Sequence, residues 1–235
     1  MKNNLIFIYE KLFETHGPQG WWPLLFEERK NFTDSEGYHK KNTIYTQTRT
    51  DRFEISTGAV LTQNTNWNNV YSCLTDFKKY SITTPESFLD KDIDFIKNII
   101  RRTGYYNQKY LKLVNLISFF QKNNYFELPE KLSREALLEI WGIGEETADS
   151  ILLYAFNRKT FVIDAYSKRI ASRLDSTLKL KTYKDYQKYF TENIPDDLEI
   201  FNQYHALIVK HCVEICRKKP YCDKCILFSY CDKAI

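Results

Sequence analysis

The sequence predicts an almost all-α protein. Three observations carry this: apolar residues recur at helical spacing in segment after segment, the breaks between segments are short, and only one stretch departs from the pattern. Leu5, Ile8, Leu12 and Phe13 form the first stripe, and Leu89, Ile93, Ile96 and Ile100 a second. Tyr110, Leu113, Val114, Ile117 and Phe120 form a third, Ala148, Ile151, Leu152 and Ala155 a fourth, and Phe201, Tyr204, Ile208 and Ile215 the last. Each is read as the core-facing surface of an amphipathic helix. Thr84-Pro85, Thr103-Gly104, Leu128-Pro129 and Ile194-Pro195 punctuate the chain, and no linker is long enough to separate independent domains. The exception is 31–56, rich in Thr, Tyr and Lys and without a helical stripe. Its Ile44-Tyr45-Thr46-Gln47-Thr48 core is β-prone, so a small hairpin or an ordered loop is expected there.

A chain of 235 residues can bury a substantial core as one large domain or two interlocked lobes, and two lobes are expected. The net charge of +4 permits nucleic-acid binding without requiring it, because a phosphate-binding face needs local positive charge. That charge is concentrated near the end: residues 205–235 hold Lys210, Arg217, Lys218, Lys219, Lys224 and Lys233 against Glu214, Asp223 and Asp232. No stretch approaches the roughly 20 apolar residues of a membrane span. Met1-Lys2-Asn3-Asn4 does not lead into a signal-peptide core, so a cytoplasmic, nucleoid-associated protein without a membrane partner is expected. In that reducing compartment, clustered cysteines hold metal or do redox chemistry more readily than they form disulfides.

Four cysteines follow the pattern Cys216-x5-Cys222-x2-Cys225-x5-Cys231. Four soft sulfur ligands at this spacing suit tetrahedral zinc or a 4Fe-4S cluster, and spacing alone does not choose between them. Cys212, one helical turn before Cys216, competes as first ligand, and isolated Cys73 reads as a buried structural thiol.

Upstream, one amphipathic run ends at Trp141, a Gly142-Ile143-Gly144 turn follows, and Glu145-Glu146-Thr147-Ala148 opens a second run. Glycines let such a turn bring backbone N–H groups close to a phosphate at the positive end of the second helix. Asp164, in Val162-Ile163-Asp164-Ala165-Tyr166-Ser167, stands where a helix begins. A carboxylate there is most often an N-cap, and a cap has the rigid orientation that a catalytic group also needs. Trp21-Trp22-Pro23 and Trp67 lie outside any clear stripe; taken singly, each aromatic is more often core than ligand surface.

Taken in this order, the hairpin, the acid after it and the four-cysteine loop resemble the endonuclease III superfamily of helix-hairpin-helix DNA glycosylases, from about Trp21 to Cys231, with 31–56 as an insertion. The resemblance implies an all-α, two-lobed fold. A six-helix barrel would span 51–158, with the helix-hairpin-helix near 132–151. Segments 1–50 and 159–235 would form a cluster lobe ending in the 216–231 loop, with the active site in the cleft between the lobes. Trp21-Trp22-Pro23, Gly58-Ala59-Val60-Leu61-Thr62-Gln63-Asn64-Thr65, Gly104-Tyr105-Tyr106-Asn107-Gln108-Lys109 and Gly142-Ile143-Gly144-Glu145-Glu146 are most similar to the 3-methyladenine DNA glycosylase III subgroup and its cluster-bearing relatives.

Residue by residue, the resemblance implies that Asp164 is the catalytic acid and that Glu146 stands where bifunctional members keep a Schiff-base lysine. Gln63 would fill the gap left by an extruded nucleotide, Tyr105 would wedge the opposite strand, and Gly142 and Gly144 would hold phosphate. Trp21, Trp22, Pro23 and Trp67 would form the base pocket with Glu146 at its floor. Cys216, Cys222, Cys225 and Cys231 would ligate a 4Fe-4S cluster, although the first gap is five residues where endonuclease III has six. The implied activity is hydrolysis of the N-glycosidic bond of an alkylated base in double-stranded DNA, by a monomer without lyase activity. A mismatch uracil or thymine glycosylase, or an endonuclease III-type glycosylase and lyase, are the alternatives.

Overall fold

The computed structural model describes residues 4–27, 32–39 and 47–232, and among them every regular element is helical. The helices are α1 (Leu5–His16), α2 (Arg49–Leu61), α3 (Trp67–Lys79), α4 (Pro85–Leu89), α5 (Ile93–Ile100), α6 (Tyr106–Lys122), α7 (Arg134–Leu138), α8 (Glu145–Ser150), α9 (Ala165–Leu174), α10 (Tyr183–Thr191) and α11 (Leu198–Glu214). A π-helical segment, Ile151–Ala155, continues α8. Among the described residues no helix is long and apolar enough to cross a membrane.

Side-chain caps start most of these helices. Asn4, Asn66, Asp92, Ser133, Asp164 and Asp197 each accept a backbone N–H from the turn they open. Thr48, Thr84 and Thr182 do so in reciprocal capping boxes. These bonds satisfy N–H groups that a helix start otherwise leaves unpaired.

The described chain divides into two compact units. The first comprises 4–21, 39 and 158–232, and the second 22–27, 32–38 and 47–157. In the first, α11 packs against α1 and α9, over a core where Phe161 stacks on Phe190 at 4.5 Å and both meet Tyr204 edge-on. In the second, α2 is the central helix, against α3, α6, α8 and the π-helical segment, and Phe53 meets Phe88 and Phe126 edge-on.

Two expectations need correction. Residues 49–56, within the stretch judged to lack a helical stripe, form the first turns of α2. That helix is buried nearly all round, and Asp51, Glu54, Ser56 and Thr57 are among its buried residues, so no apolar stripe marks it. The β-prone core at 44–48 lies partly outside the described residues; Gln47 and Thr48 are described, and Thr48 is the α2 cap. The second stripe also breaks, because Asp92 starts α5 anew after α4 ends at Leu89, leaving Leu89 37% and Ile93 50% exposed.

Candidate active site

Asp164 caps α9 from an extended backbone (φ −108°, ψ −174°). Its Oδ1 accepts the Ser167 N–H at 2.7 Å and the Ser167 hydroxyl at 3.0 Å, and its Oδ2 faces Nε2 of His205, on α11, at 3.6 Å. The side chain is 14% exposed. Burial pushes the carboxyl pKa up, but His205 and the Ser167 donors outweigh it and hold it below the ordinary aspartate value, so the group is ionised at neutral pH. Just upstream, Ile163 donates its N–H to the Tyr183 hydroxyl at 3.2 Å, fixing the approach to the cap. The Asp164-x-x-Ser167 cap spacing signals one of these partners; nothing in the sequence signals His205.

In the second unit, the turn between α7 and α8 requires glycine. Gly142 has φ +88°, and a Cβ there would run into the aliphatic chain of Lys112. Gly144 caps α8 with open space around it, and Glu145 and Glu146 stand exposed in the first turn. Arg134 on α7 ties the hairpin together through Asp149 at 2.8 Å. Gln63 meets this hairpin directly: its Nε2 donates to the Gly142 carbonyl at 3.1 Å and to Thr147 Oγ1 at 3.0 Å, while its Oε1 accepts from Lys112 Nζ at 2.6 Å. Tyr105 is left-handed (φ +47°) and 68% exposed, so it projects from its turn.

The aromatic residues differ in what they offer. Trp22 is 5% exposed and lies against Gly58, where a Cβ would come within 2.9 Å of the indole. It meets Trp67 edge-on at 5.4 Å and Tyr154 at 5.7 Å. Trp67, at the start of α3, is half-buried and hydrogen-bonds Tyr38 through its indole N–H. Pro23 is buried, and Trp21, half-buried, belongs to the first unit. A residue that sequence reasoning missed fixes the segment after Pro23. Glu54, wholly buried on α2, accepts the N–H groups of Leu25 at 2.6 Å and Phe26 at 3.0 Å, and burial pushes its carboxyl up to about 8.

Cys216, Cys222, Cys225 and Cys231 line one cavity with Arg173, Ile215, Pro220, Tyr221 and Phe228, whereas Cys212 is not part of the lining. Arg173 donates to the Cys216 sulfur at 3.0 Å and to the carbonyls of Arg217 at 2.8 Å and Lys218 at 3.2 Å, so one α9 side chain organises the start of the loop. A hydrogen bond from Cys212 and the Arg173 guanidinium lower the Cys216 thiol to about 6. His211 Nε2 lies 3.4 Å from the Cys225 sulfur, and its Nδ1 lies 3.1 Å from His16 Nε2. Among the described residues, no three His, Cys, Asp or Glu side chains are arranged to hold a single metal ion. Cys73, in the second unit, is fully buried, with its thiol pushed up to about 12 by burial.

Residues 57–196 match the HhH-GPD superfamily of base excision DNA repair proteins. A protein of Methanocaldococcus jannaschii named as a DNA repair glycosylase is 38% identical over 231 residues, covering 95% of this chain and 94% of that protein. The endonuclease III of Sulfolobus acidocaldarius is 34% identical over 187 residues, or 76% of this chain and 81% of the relative. Among solved structures, a 3-methyladenine DNA glycosylase of H. pylori bound to 1,N6-ethenoadenine shares the fold, with a TM-score of 0.67 at 24% identity over 87% of this chain and 94% of that one.

Proposed function

The chain belongs to the HhH-GPD superfamily of base excision DNA repair proteins, and on that premise we propose that it hydrolyses the N-glycosidic bond of alkylated bases in duplex DNA without cleaving the strand. The observation that carries this reading is Asp164, a carboxylate kept ionised and aimed by a helix cap. As the base leaves with the bonding electrons, positive charge develops on the deoxyribose, and Asp164 stabilises it. Asp164 then orients a water molecule for attack on the sugar carbon and takes its proton. A base already cationic by alkylation departs neutral and needs little help from an acid. An electron-rich indole suits such a base, and Trp67, half-buried and backed edge-on by Trp22, has surface to offer, as does half-buried Trp21; a good contact contributes about 0.5–2 kcal/mol.

Glu146 supports hydrolysis over lyase chemistry, because a carboxylate cannot form the imine that a lysine forms with the opened sugar. Gln63 is assigned to the space vacated by the extruded nucleotide, an extrusion that costs a few kcal/mol, and Tyr105 to wedging the opposite strand. Gly142 and Gly144 are assigned to phosphate binding, which makes affinity salt-dependent with little sequence preference.

The cysteine loop suits a 4Fe-4S cluster. Four thiols line one cavity, soft sulfur ligands of the kind such a cluster takes, and the Arg173 guanidinium beside Cys216 offsets the charge of thiolate ligands. Cys216, Cys222, Cys225 and Cys231 would hold it, and when bound it supplies a rigid scaffold for the basic loop. Anaerobic purification should give iron and sulfide with a broad visible absorption band, lost in Cys225→Ser; zinc alone in the wild type would overturn the assignment.

The deciding experiment is chromatographic release of free bases from methylated duplex DNA by wild type and Asp164→Asn, with strand breaks scored with and without alkali. Asp164-dependent release of 3-methyladenine, with breaks only after alkali, is expected. Release of uracil or thymine from mismatches instead would replace the substrate assignment. Breaks without alkali, with an imine trapped by borohydride, would assign the chain the lyase chemistry of endonuclease III.

A further inference from the structure

Lys109, on the first turn of α6, is 2% exposed, and nothing in the mechanism above uses it. Its Nζ donates to the Leu61 carbonyl at 2.8 Å and to the Thr103 carbonyl at 2.7 Å. Leu61 is the last residue of α2, and the turn that follows carries Gln63. Thr103 precedes Gly104, after which Tyr105 projects. The Lys109 backbone N–H also donates to the Tyr105 carbonyl at 3.0 Å. One residue therefore holds both turns assigned to probing the duplex.

Both turns contain a residue that needs holding. Asn64 and Tyr105 are left-handed, with φ +53° and +47°, a conformation that a non-glycine residue keeps only where its surroundings impose it. An amine buried away from solvent is itself costly, and simple filling of space would be met by an apolar side chain. What an amine adds is donors that reach two carbonyls from one atom. Burial lowers the amine to about 8, and because two hydrogens suffice for the two carbonyls, the tie persists on either side of that value.

We propose that Lys109 is a positioning residue for DNA interrogation: its amine ties the Gln63 turn to the Tyr105 turn, so that the two side chains enter a duplex as one rigid pair. This rests on the roles proposed above for Gln63 and Tyr105, and it adds the residue that sets their spacing.

The test needs neither a damaged base nor bond cleavage, so it stands apart from the substrate assignment. A duplex carrying a tetrahydrofuran abasic analogue, with 2-aminopurine facing it, brightens when the facing base is unstacked by an inserted wedge. Wild type should raise the fluorescence; Lys109→Met and Tyr105→Ala should each lose most of the rise, with binding followed separately by anisotropy. In the double variant the losses should not add, because Lys109 acts through Tyr105. Lys109→Gln, one atom shorter but still polar, serves if the methionine variant does not fold, since it cannot span both carbonyls. A folded Lys109 variant with the full rise, or losses that add independently, would overturn the proposal. No rise in wild type would instead remove the wedge role of Tyr105 on which it rests.

Discussion

Two buried carboxylates, Asp164 in the first unit and Glu54 in the second, accept two hydrogen bonds each yet end on opposite sides of neutrality. Glu54 takes two backbone N–H bonds and is still pushed up to about 8 by burial, with Asp51 adding repulsion from the same helix. Asp164 takes one backbone and one hydroxyl bond and sits below its ordinary value. The difference lies in what surrounds the bonds. Glu54 is in the middle of α2 with no exposed surface, whereas Asp164 stands at the positive end of α9 with the His205 imidazole at 3.6 Å. Two donors do not keep Glu54 charged; at Asp164 the neighbouring imidazole adds to the Ser167 donors and together they outweigh burial. Asp164 is thus equipped as a reagent, and Glu54 as a fastener for the segment after Pro23.

The sharpest way to break this contrast is Asp164→Asn. Asparagine caps a helix as well as aspartate, so thermal stability should hold while single-turnover base release falls by roughly 10³-fold or more. Equal loss of stability and activity would reduce Asp164 to a cap. Glu54→Ala should do the reverse: two buried N–H groups lose their acceptor, costing about 2–4 kcal/mol in urea unfolding.

The pH dependence of Glu54 has a definite sign. Its folded value of about 8 exceeds the ordinary 4.5, so the folded state binds the proton more tightly. This contribution to stability is complete below 4.5 and is lost as pH rises towards 8. Glu54→Gln should flatten that fall; an unchanged slope would show that another group causes it.

The same contrast marks what the sequence reveals. Asp164 was legible because a cap is local: the carboxylate and its Ser167 partner lie within one turn. The glycine turn at Gly142 was legible for the same reason, since positive φ leaves a residue-type signature. Glu54 was not, because α2 is enclosed by its own unit and carries polar groups whose partners, such as Leu25 and Phe26, lie elsewhere in the chain. His205, Arg173 and Lys109 escaped likewise, each meeting its partners only through tertiary packing. The α4 to α5 break was missed because Leu89 and Ile93 keep helical spacing across the Asp92 cap, and spacing does not record which apolar residues stay exposed.

His205→Leu should move Asp164 towards the behaviour of Glu54. Without the imidazole, burial goes unopposed on that side, the carboxylate protonates at higher pH, and the acid limb of the kcat/KM profile shifts upward. Each unit of that shift is worth a factor of ten on the limb. On the plateau above the limb, where Asp164 is ionised in both proteins, activity should be largely retained. A drop that is uniform across pH would mean that His205 only packs.

Ser167→Ala should give the smallest effect and isolates the hydroxyl from the cap. The backbone N–H at 2.7 Å remains, so α9 still starts at the same place, and the hydroxyl's 3.0 Å bond to Oδ1 is lost together with its longer, 3.4 Å bond to the Val162 carbonyl. Ser167 is fully buried, so water does not readily replace its hydroxyl. The expected cost is about 0.5–1.5 kcal/mol, seen as a modest fall in base release and a small upward move of the acid limb in the same direction as for His205→Leu. If the limb moves as far as in His205→Leu, the hydroxyl keeps Asp164 charged as much as the imidazole does, and the contrast with Glu54 does not rest on the imidazole alone.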